Sequence, residues 1–204
     1  VFFAYFVVDF FAVKEMISMK SCRNWLKMTC VIGVVLGIFP CRPVFGGDIP
    51  KKGDNLPVFE IQSPPSEKDK GYLGITKPVF RLPDIRTNLL LLEIIGVYCP
   101  VCYRQAPIFN NLYNRIEKSP LKGKVKMLAI AAGGNQNEIQ YLNDQKQYRF
   151  PIAPDPAFDV HKQIGEPRTP FTLLLSPEGK VLYAHLGLIE DMDAFWKTIS
   201  ELVH

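Results

Sequence analysis

The four residues Cys99-Pro100-Val101-Cys102 carry the most specific chemistry in the sequence. Two thiols separated by two residues can close a disulfide with each other and pass it to a partner by exchange. They follow a nearly unbroken apolar run over 89–97, the pattern of a strand buried on both faces. They precede an amphipathic stretch over 101–118 that reads as a helix, with Ile108, Leu112 and Ile116 on one stripe and Pro107 inside it. A strand running straight into a helix places Cys99 at the N-cap and Pro100 at the first helical position, where a missing N–H removes no hydrogen bond. Cys102 then stands at the third position, its amide N–H directed back at the Cys99 sulfur. Unpaired amides and the helix dipole favour a thiolate over a thiol there, which lowers the pKa of Cys99 and makes it the nucleophile. Cys102, one turn further in and more covered, is the resolving thiol.

Two bland readings compete with this one. A structural staple is the first, but closing a four-residue loop stabilises a fold by about 2 kcal/mol, against about 4.7 kcal/mol for a hundred-residue loop. Cysteines placed for stability would stand far apart. A zinc site is the second. One C-x-x-C supplies half of such a site, and His161, His185 and His204 show no paired-ligand spacing. The preferred reading needs no metal and no cofactor.

Two further positions bear on the dithiol. Glu93 is the lone charge in the apolar run, six residues before Cys99. A carboxyl buried there is held protonated, and beside a dithiol it can accept and return the proton of Cys102. The alternative is a place at the sheet edge, in contact with water. Thr169-Pro170 opens a second apolar segment. A cis bond there would present the Thr169 backbone to an extended peptide, and an ordinary trans Pro at the start of a strand fits the residues equally well.

The remaining chain supplies the frame. Residues 48–87 are rich in Pro, Gly and charge, strand-like at 57–61 and 78–82, with 63–71 between them reading as a solvated loop. Beyond 88 the expected elements are a strand at 124–132 closed by Gly133-Gly134, a helix at 137–148, a strand at 150–153 and a helix at 157–164 ended by Gly165. Strands at 171–175 and 180–186 are joined by the turn Ser176-Pro177-Glu178-Gly179, and a helix at 191–203 carries Ala194, Phe195, Ile199 and Leu202. Strands alternating with helices predict an α/β layer structure around a mixed sheet.

Composition narrows the rest. The 204 residues are 48% hydrophobic, enough for a packed core and far from a disordered chain. A net charge of +4 is too mild for a nucleic-acid binder. Residues 19–47 have a basic start (Lys20, Arg23, Lys27), an apolar stretch of about twelve residues and a small-residue pattern at Val44-Phe45-Gly46, the layout of a secretory signal peptide. The alternative is a retained membrane anchor through residues 25–40; the apolar stretch is short for a spanning helix. Residues 1–18 read as an overextended start. Removing 1–47 takes five of the 24 basic residues and two of the 20 acidic ones, leaving 19 against 18. Cys22, Cys30 and Cys41 go with them, so Cys99 and Cys102 are the only cysteines of the remainder. The expected organisation is thus 48–87 as an N-terminal extension and hairpin, and 88–204 as the main domain, the whole unit spanning about 56–204.

Taken together, three pieces in this order resemble the thioredoxin superfamily, in its secreted branch similar to the TlpA and ResA types of thiol–disulfide oxidoreductase. They are Phe80-Arg-Leu-Pro-Asp-Ile-Arg, Leu90-Leu-Leu-Glu-Ile-Ile-Gly-Val-Tyr-Cys-Pro-Val-Cys, and Arg168-Thr-Pro-Phe-Thr-Leu-Leu-Leu-Ser-Pro-Glu-Gly-Lys-Val. The resemblance implies a thioredoxin-like fold, with a central mixed sheet flanked by helices, an N-terminal β-hairpin and an inserted strand-helix at 150–164. It implies a cis Pro170, and a substrate surface made of Thr169, Pro170, Tyr98, Pro100 and Val101. Protein thiols and disulfides are the implied partners, a membrane-bound thiol reductant the implied electron donor, and the periplasm or another extracytoplasmic space, with or without an inner-membrane anchor, the implied place. Nucleic acid is not among the partners.

Some positions depart from the pattern. Tyr98 replaces the usual Trp before the first Cys, Val101 leaves the redox poise unread, and Gln105 replaces an acidic residue common in cytochrome-maturation reductases. Glu93 stands at the place of the buried Asp of thioredoxin. The direction implied is reduction. A peroxiredoxin-like peroxidase shares the fold but wants Thr three residues before its cysteine, where this chain has Gly96. An SCO-like copper chaperone wants a C-x-x-x-C spacing and a later His, for which His185 is the candidate.

Overall fold

The computed structural model describes residues 48–203, and the expectations for residues 1–47 fall outside them. The first half contains β1 (Ile61–Gln62), α1 (Glu67–Leu73), β2 (Val79–Phe80), β3 (Leu89–Gly96) and α2 (Pro100–Glu117). The second half contains β4 (Val125–Ala132), α3 (Gln136–Asp144), β5 (Ile152–Asp155), α4 (Asp159–Gln163), β6 (Phe171–Leu175), β7 (Val181–Leu186) and α5 (Met192–Leu202). Among these residues no helix is long and apolar enough to cross a membrane.

β3 is the organising strand. Its residues Leu89–Ile95 are all buried, and the sheet places it centrally in the order β5-β4-β3-β6-β7. It runs parallel to β4 and antiparallel to β6. Strand alternation then divides the core. Leu89, Leu91, Ile95 and Val97 pack with Cys102, Ala106, Phe109 and Phe195 on one face. Leu90, Leu92 and Ile94 pack with Ile61, Leu73, Val160 and Phe171 on the other. On α2 the buried stripe is Cys102, Ala106, Phe109, Leu112 and Ile116, while the expected Ile108 is only partly buried. Phe109 is the anchor of this layer, stacked on Phe195 with centroids 6.1 Å apart and tilted against Phe150 at 6.4 Å.

Four expectations need correction. The strand expected over 57–61 is confined to β1 at Ile61–Gln62. Residues 63–71 are not a plain loop, because α1 begins within them. Ser66 caps the helix by accepting from the Asp69 N–H, Leu73 anchors it in the core, and Gly74 ends it in the left-handed region. The short strands β1 and β2 pair antiparallel as the expected N-terminal hairpin, with a helix in the connection where a loop was expected. The helix expected over 137–148 ends at Asp144: Lys146 takes a positive φ of 54°, and the chain turns so that Tyr148 inserts edge-on against Phe150. The strand expected at 150–153 lies two residues later, at Ile152–Asp155. It is an edge strand, so Pro154 within it leaves no ladder bond unmade in the sheet interior.

The turn after β4 shows where a side chain is not tolerated. Gly133 has φ +74°, and a Cβ there would lie 2.3 Å from the Phe158 ring. We expect Gly133→Ala to lower stability by more than about 1 kcal/mol, through the φ penalty and the displaced ring. Gly71, within α1, has open space around it, and Gly71→Ala should raise stability by about 0.5–1 kcal/mol. Urea unfolding of the two variants checks the contrast.

Candidate active site

The end of β3 delivers the dithiol. Past Gly96 the chain makes one turn, with the Cys99 N–H donating to the Gly96 carbonyl at 3.1 Å, and α2 begins at Pro100. Cys99 is the N-cap, and the Cys102 N–H donates to its sulfur at 3.1 Å. The two residues are joined as a disulfide with Cα atoms 5.2 Å apart. Cys102 has no exposed surface, whereas Cys99 is half-buried. An incoming sulfur can therefore reach only the first of them.

Loops from both sides of β3 complete the rim. The Thr169–Pro170 bond is cis, and the Thr169 carbonyl oxygen lies 3.5 Å from the Cys99 sulfur. A Cβ on Gly96 would sit 3.3 Å from both the Cys99 Cβ and the Thr169 hydroxyl, so the small residue allows this approach. Tyr98 is 77% exposed, and Pro100 and Val101 border the sulfur at the helix start. All five residues expected to form the substrate surface stand next to Cys99 in the chain or across from it at the cis-Pro loop.

Beneath the disulfide lies a polar network in an otherwise apolar layer. Five polar or charged residues are buried among those described, and three of them (Glu93, Gln105 and Thr172) form one cluster. Glu93 is not at the sheet edge; it occupies the central strand with no exposed surface. As an odd-numbered residue of β3 it shares the face of Leu91, Ile95 and Cys102. Gln105 Nε2 donates to Glu93 Oε1 at 2.8 Å and approaches Thr172 Oγ1 at 3.4 Å. Glu93 Oε2 has no partner. Burial pushes the carboxyl up to about 8, against a smaller downward pull from the Gln105 amide.

Besides Gln105 and Thr172, Glu138 and His161 were absent from the sequence-based site and belong to its frame. Tyr98 Oη donates to Glu138 Oε1 at 2.7 Å, while Glu138 Oε2 accepts from the Asn135 N–H at 2.9 Å in the capping box of α3. His161 on α4, weighed above only as a metal ligand, pairs its Nε2 with the Pro167 carbonyl at 2.9 Å, two residues before Thr169. The capping pattern Asn135-x-x-Glu138 was readable as a helix start, but nothing in the sequence linked it to Tyr98. His185 Nε2 is likewise held by the Leu188 carbonyl at 3.0 Å. Among the described residues no three His, Cys, Asp or Glu side chains converge as a metal site.

With this geometry in place, comparison with known proteins is direct. A family model for the AhpC/TSA family matches residues 53–184. The chain belongs to the AhpC/TSA family. Its relatives place it with the thiol–disulfide oxidoreductases of that family. The thiol-disulfide oxidoreductase ResA of Bacillus cereus is 30% identical over 149 residues, covering 66% of this chain and 83% of that protein. ResA of Halalkalibacterium halodurans is 23% identical over 171 residues, covering 82% and 89%. The same fold occurs in the thioredoxin domain of a thiol-disulfide oxidoreductase from Bacteroides vulgatus, with a TM-score of 0.57, 16% identity, and coverage of 77% of this chain and all of that one. The thioredoxin-like fold expected from the sequence is thus the fold of this family member.

Glu93 makes stability depend on pH. With the Cys99–Cys102 disulfide closed, the folded carboxyl keeps its proton up to about pH 8, whereas the unfolded one loses it near 4.5. Between these values the unfolded state binds fewer protons, so the contribution of Glu93 to stability falls as pH rises through the window. The loss is on the order of 3–5 kcal/mol across it. Glu93→Gln should therefore match the wild type near pH 4.5 and exceed it at pH 8 and above, as measured by urea unfolding at each pH.

Proposed function

We propose that this member of the AhpC/TSA family exchanges the Cys99–Cys102 dithiol or disulfide with protein substrates in the bacterial cell envelope, working as a reductase. The observation that carries the reading is the half-buried Cys99 sulfur, at a helix N-terminus, with the Cys102 N–H at 3.1 Å and the Thr169 carbonyl at 3.5 Å. The reducing direction rests only on the resemblance of the sequence to the secreted TlpA and ResA types, and the envelope on the signal-like layout of residues 19–47.

The chemistry follows from the geometry. In the reduced enzyme the Cys99 thiolate, stabilised by the amides opening α2, attacks one sulfur of a substrate disulfide. The substrate S–S bond breaks, one substrate thiolate leaves, and a Cys99–substrate mixed disulfide forms. Thr169 and the exposed Tyr98 ring border the extended segment that carries the attacked sulfur. Glu93, left as a carboxylate when it gave its proton to Cys102 on reduction of the enzyme, takes that proton back, and the Cys102 thiolate attacks the Cys99 sulfur. The Cys99–Cys102 bond forms and the second substrate thiolate departs. Two electrons have passed to the substrate. A membrane-bound dithiol reductant resets the enzyme: one of its thiolates attacks Cys99, and Cys102 leaves as a thiolate that takes the proton of Glu93. The reductant's second thiolate then attacks the reductant sulfur of the mixed disulfide, closing the reductant's own disulfide, and Cys99 leaves as a thiolate. A peroxidase would ask for a hydroxyl side chain three residues before Cys99, and Gly96 has none.

Replacing each cysteine separates the roles. Cys99→Ser should reduce catalysed disulfide reduction of a model protein to the uncatalysed rate. Cys102→Ser should still attack, and should accumulate a mixed disulfide with the substrate that is visible by mass spectrometry. Full activity in the Cys99 variant would end the proposal.

A further inference from the structure

The buried amide beside Glu93 is placed to decide which carboxyl oxygen carries its proton. Gln105 stands on α2 one turn after Cys102, with no exposed surface. Its Oε1 accepts from the backbone N–H of Ile189 at 2.9 Å. That N–H can only donate, so it fixes the orientation of the amide. Nε2, a donor with no acceptor capacity, must then face Glu93 Oε1, which lies 2.8 Å away. An oxygen that accepts from Nε2–H cannot also direct its own proton along that line. When Glu93 is neutral, its proton belongs on Oε2, the atom without a protein partner.

We propose that Gln105 is a positioning residue that assigns the exchangeable proton of Glu93 to Oε2 by anchoring Oε1, with Ile189 in turn fixing the amide. The inference rests on the proposed role of Glu93 as proton carrier for Cys102. It explains why an amide serves at a position three residues after the second cysteine. Glu there would place two carboxyls in contact, and the pair would share protons and titrate in two steps. With Gln the layer holds one acid and one proton. The other titratable groups on this side of the sheet are Cys102, Tyr103 and Tyr113 from α2, Tyr148 from the segment before β5, and Tyr183 and His185 from β7, where His185 pairs with Thr172, the β6 neighbour of Glu93. Tyr148 is held above its ordinary range, first by burial and then by Glu93, so it stays neutral while Glu93 titrates.

The test follows the carbon-13 signal of the Glu93 carboxyl in the oxidised full chain, assigned by its loss in Glu93→Gln. Because cutting the amide hydrogen bond removes stabilisation of the carboxylate, Gln105→Met should move the Glu93 midpoint up by about one pH unit. The pH dependence of mixed-disulfide resolution should move up with it. Gln105→Glu keeps an acceptor for the Ile189 N–H and removes the donor. It should convert the single Glu93 titration into two coupled steps. A single Glu93 titration in Gln105→Glu, unchanged from the wild type, would show that the side chain at 105 does not touch the carboxyl, and that outcome overturns the proposal. An unmoved midpoint in Gln105→Met does the same, and should that variant fail to fold, the Gln105→Glu titration decides alone. The carboxyl signal needs no turnover, so its outcome is independent of the Cys99→Ser assay that judges the exchange reaction.

Discussion

The hydrogen bond from the Cys102 amide to the Cys99 sulfur is available because Cys102 lies in the first turn of α2. The first four amides of a helix have no carbonyl partner within it, and the third of them meets the side chain of the N-cap residue. Shifting the helix start by one residue would give Cys102 a different partner or expose the amide to water. The start is fixed from both sides. Gly96 accepts from the Cys99 N–H and closes the turn out of β3, and Pro100 supplies the helical φ at the first position. Tyr103 adds a third tie, its hydroxyl donating to the Val97 carbonyl at 2.6 Å. The depth of β3 in the sheet keeps these atoms in register, and the rest of the fold can be read as what is needed to bury that strand on both faces.

Two ionisable groups, six residues apart, meet opposite environments on the same scaffold. At the helix entrance an anion is favoured by partial positive charge. One layer below, among Leu91, Ile95 and Phe109, an anion is disfavoured by the absence of water. In the proposed exchange such a separation assigns roles: the group at the helix entrance is the nucleophile, and the group that resists ionisation is the proton carrier. The cost is a carboxyl whose second oxygen has no partner, a conflict that a purely structural core would have removed.

Much of this was legible in the sequence because it depends on local rules. The C-x-x-C pair between an apolar run and an amphipathic stretch placed Cys99 and Cys102 correctly at the N-cap and third positions, since capping and Pro preference act over four residues. The hairpin of β6 and β7 was equally readable from Ser176-Pro177-Glu178-Gly179. What escaped was long-range. Gln105 looked like a loss of charge in a helix, and only packing α2 on β3 shows that it faces Glu93, twelve residues earlier. Glu138 and Tyr98 are forty residues apart, and His161 lies in a helix whose relation to the cis-Pro loop no periodicity encodes. Local signals failed as well where burial overrode them, as at Tyr148, which the core draws out of a helix-compatible stretch.

The cis-Pro loop shows how a segment without regular structure becomes a fixed part of the site. On one side the Gly187 N–H donates to the Pro170 carbonyl at 2.8 Å, so β7 extends its pairing past the end of the strand. On the other, His161 of the inserted α4 holds the Pro167 carbonyl, and α4 is itself secured by Asp155, whose carboxylate accepts from the Val160 and His161 amides. The Thr169 carbonyl lies between these two anchors. The β5–α4 insertion therefore does more than widen the sheet, because it supplies the second point that the loop over 164–170 needs to hold one carbonyl facing a sulfur. A site whose supporting groups are locked in this way holds the Thr169 carbonyl preorganised against the sulfur, and the bond between Cys99 and Cys102 is the part that exchange changes.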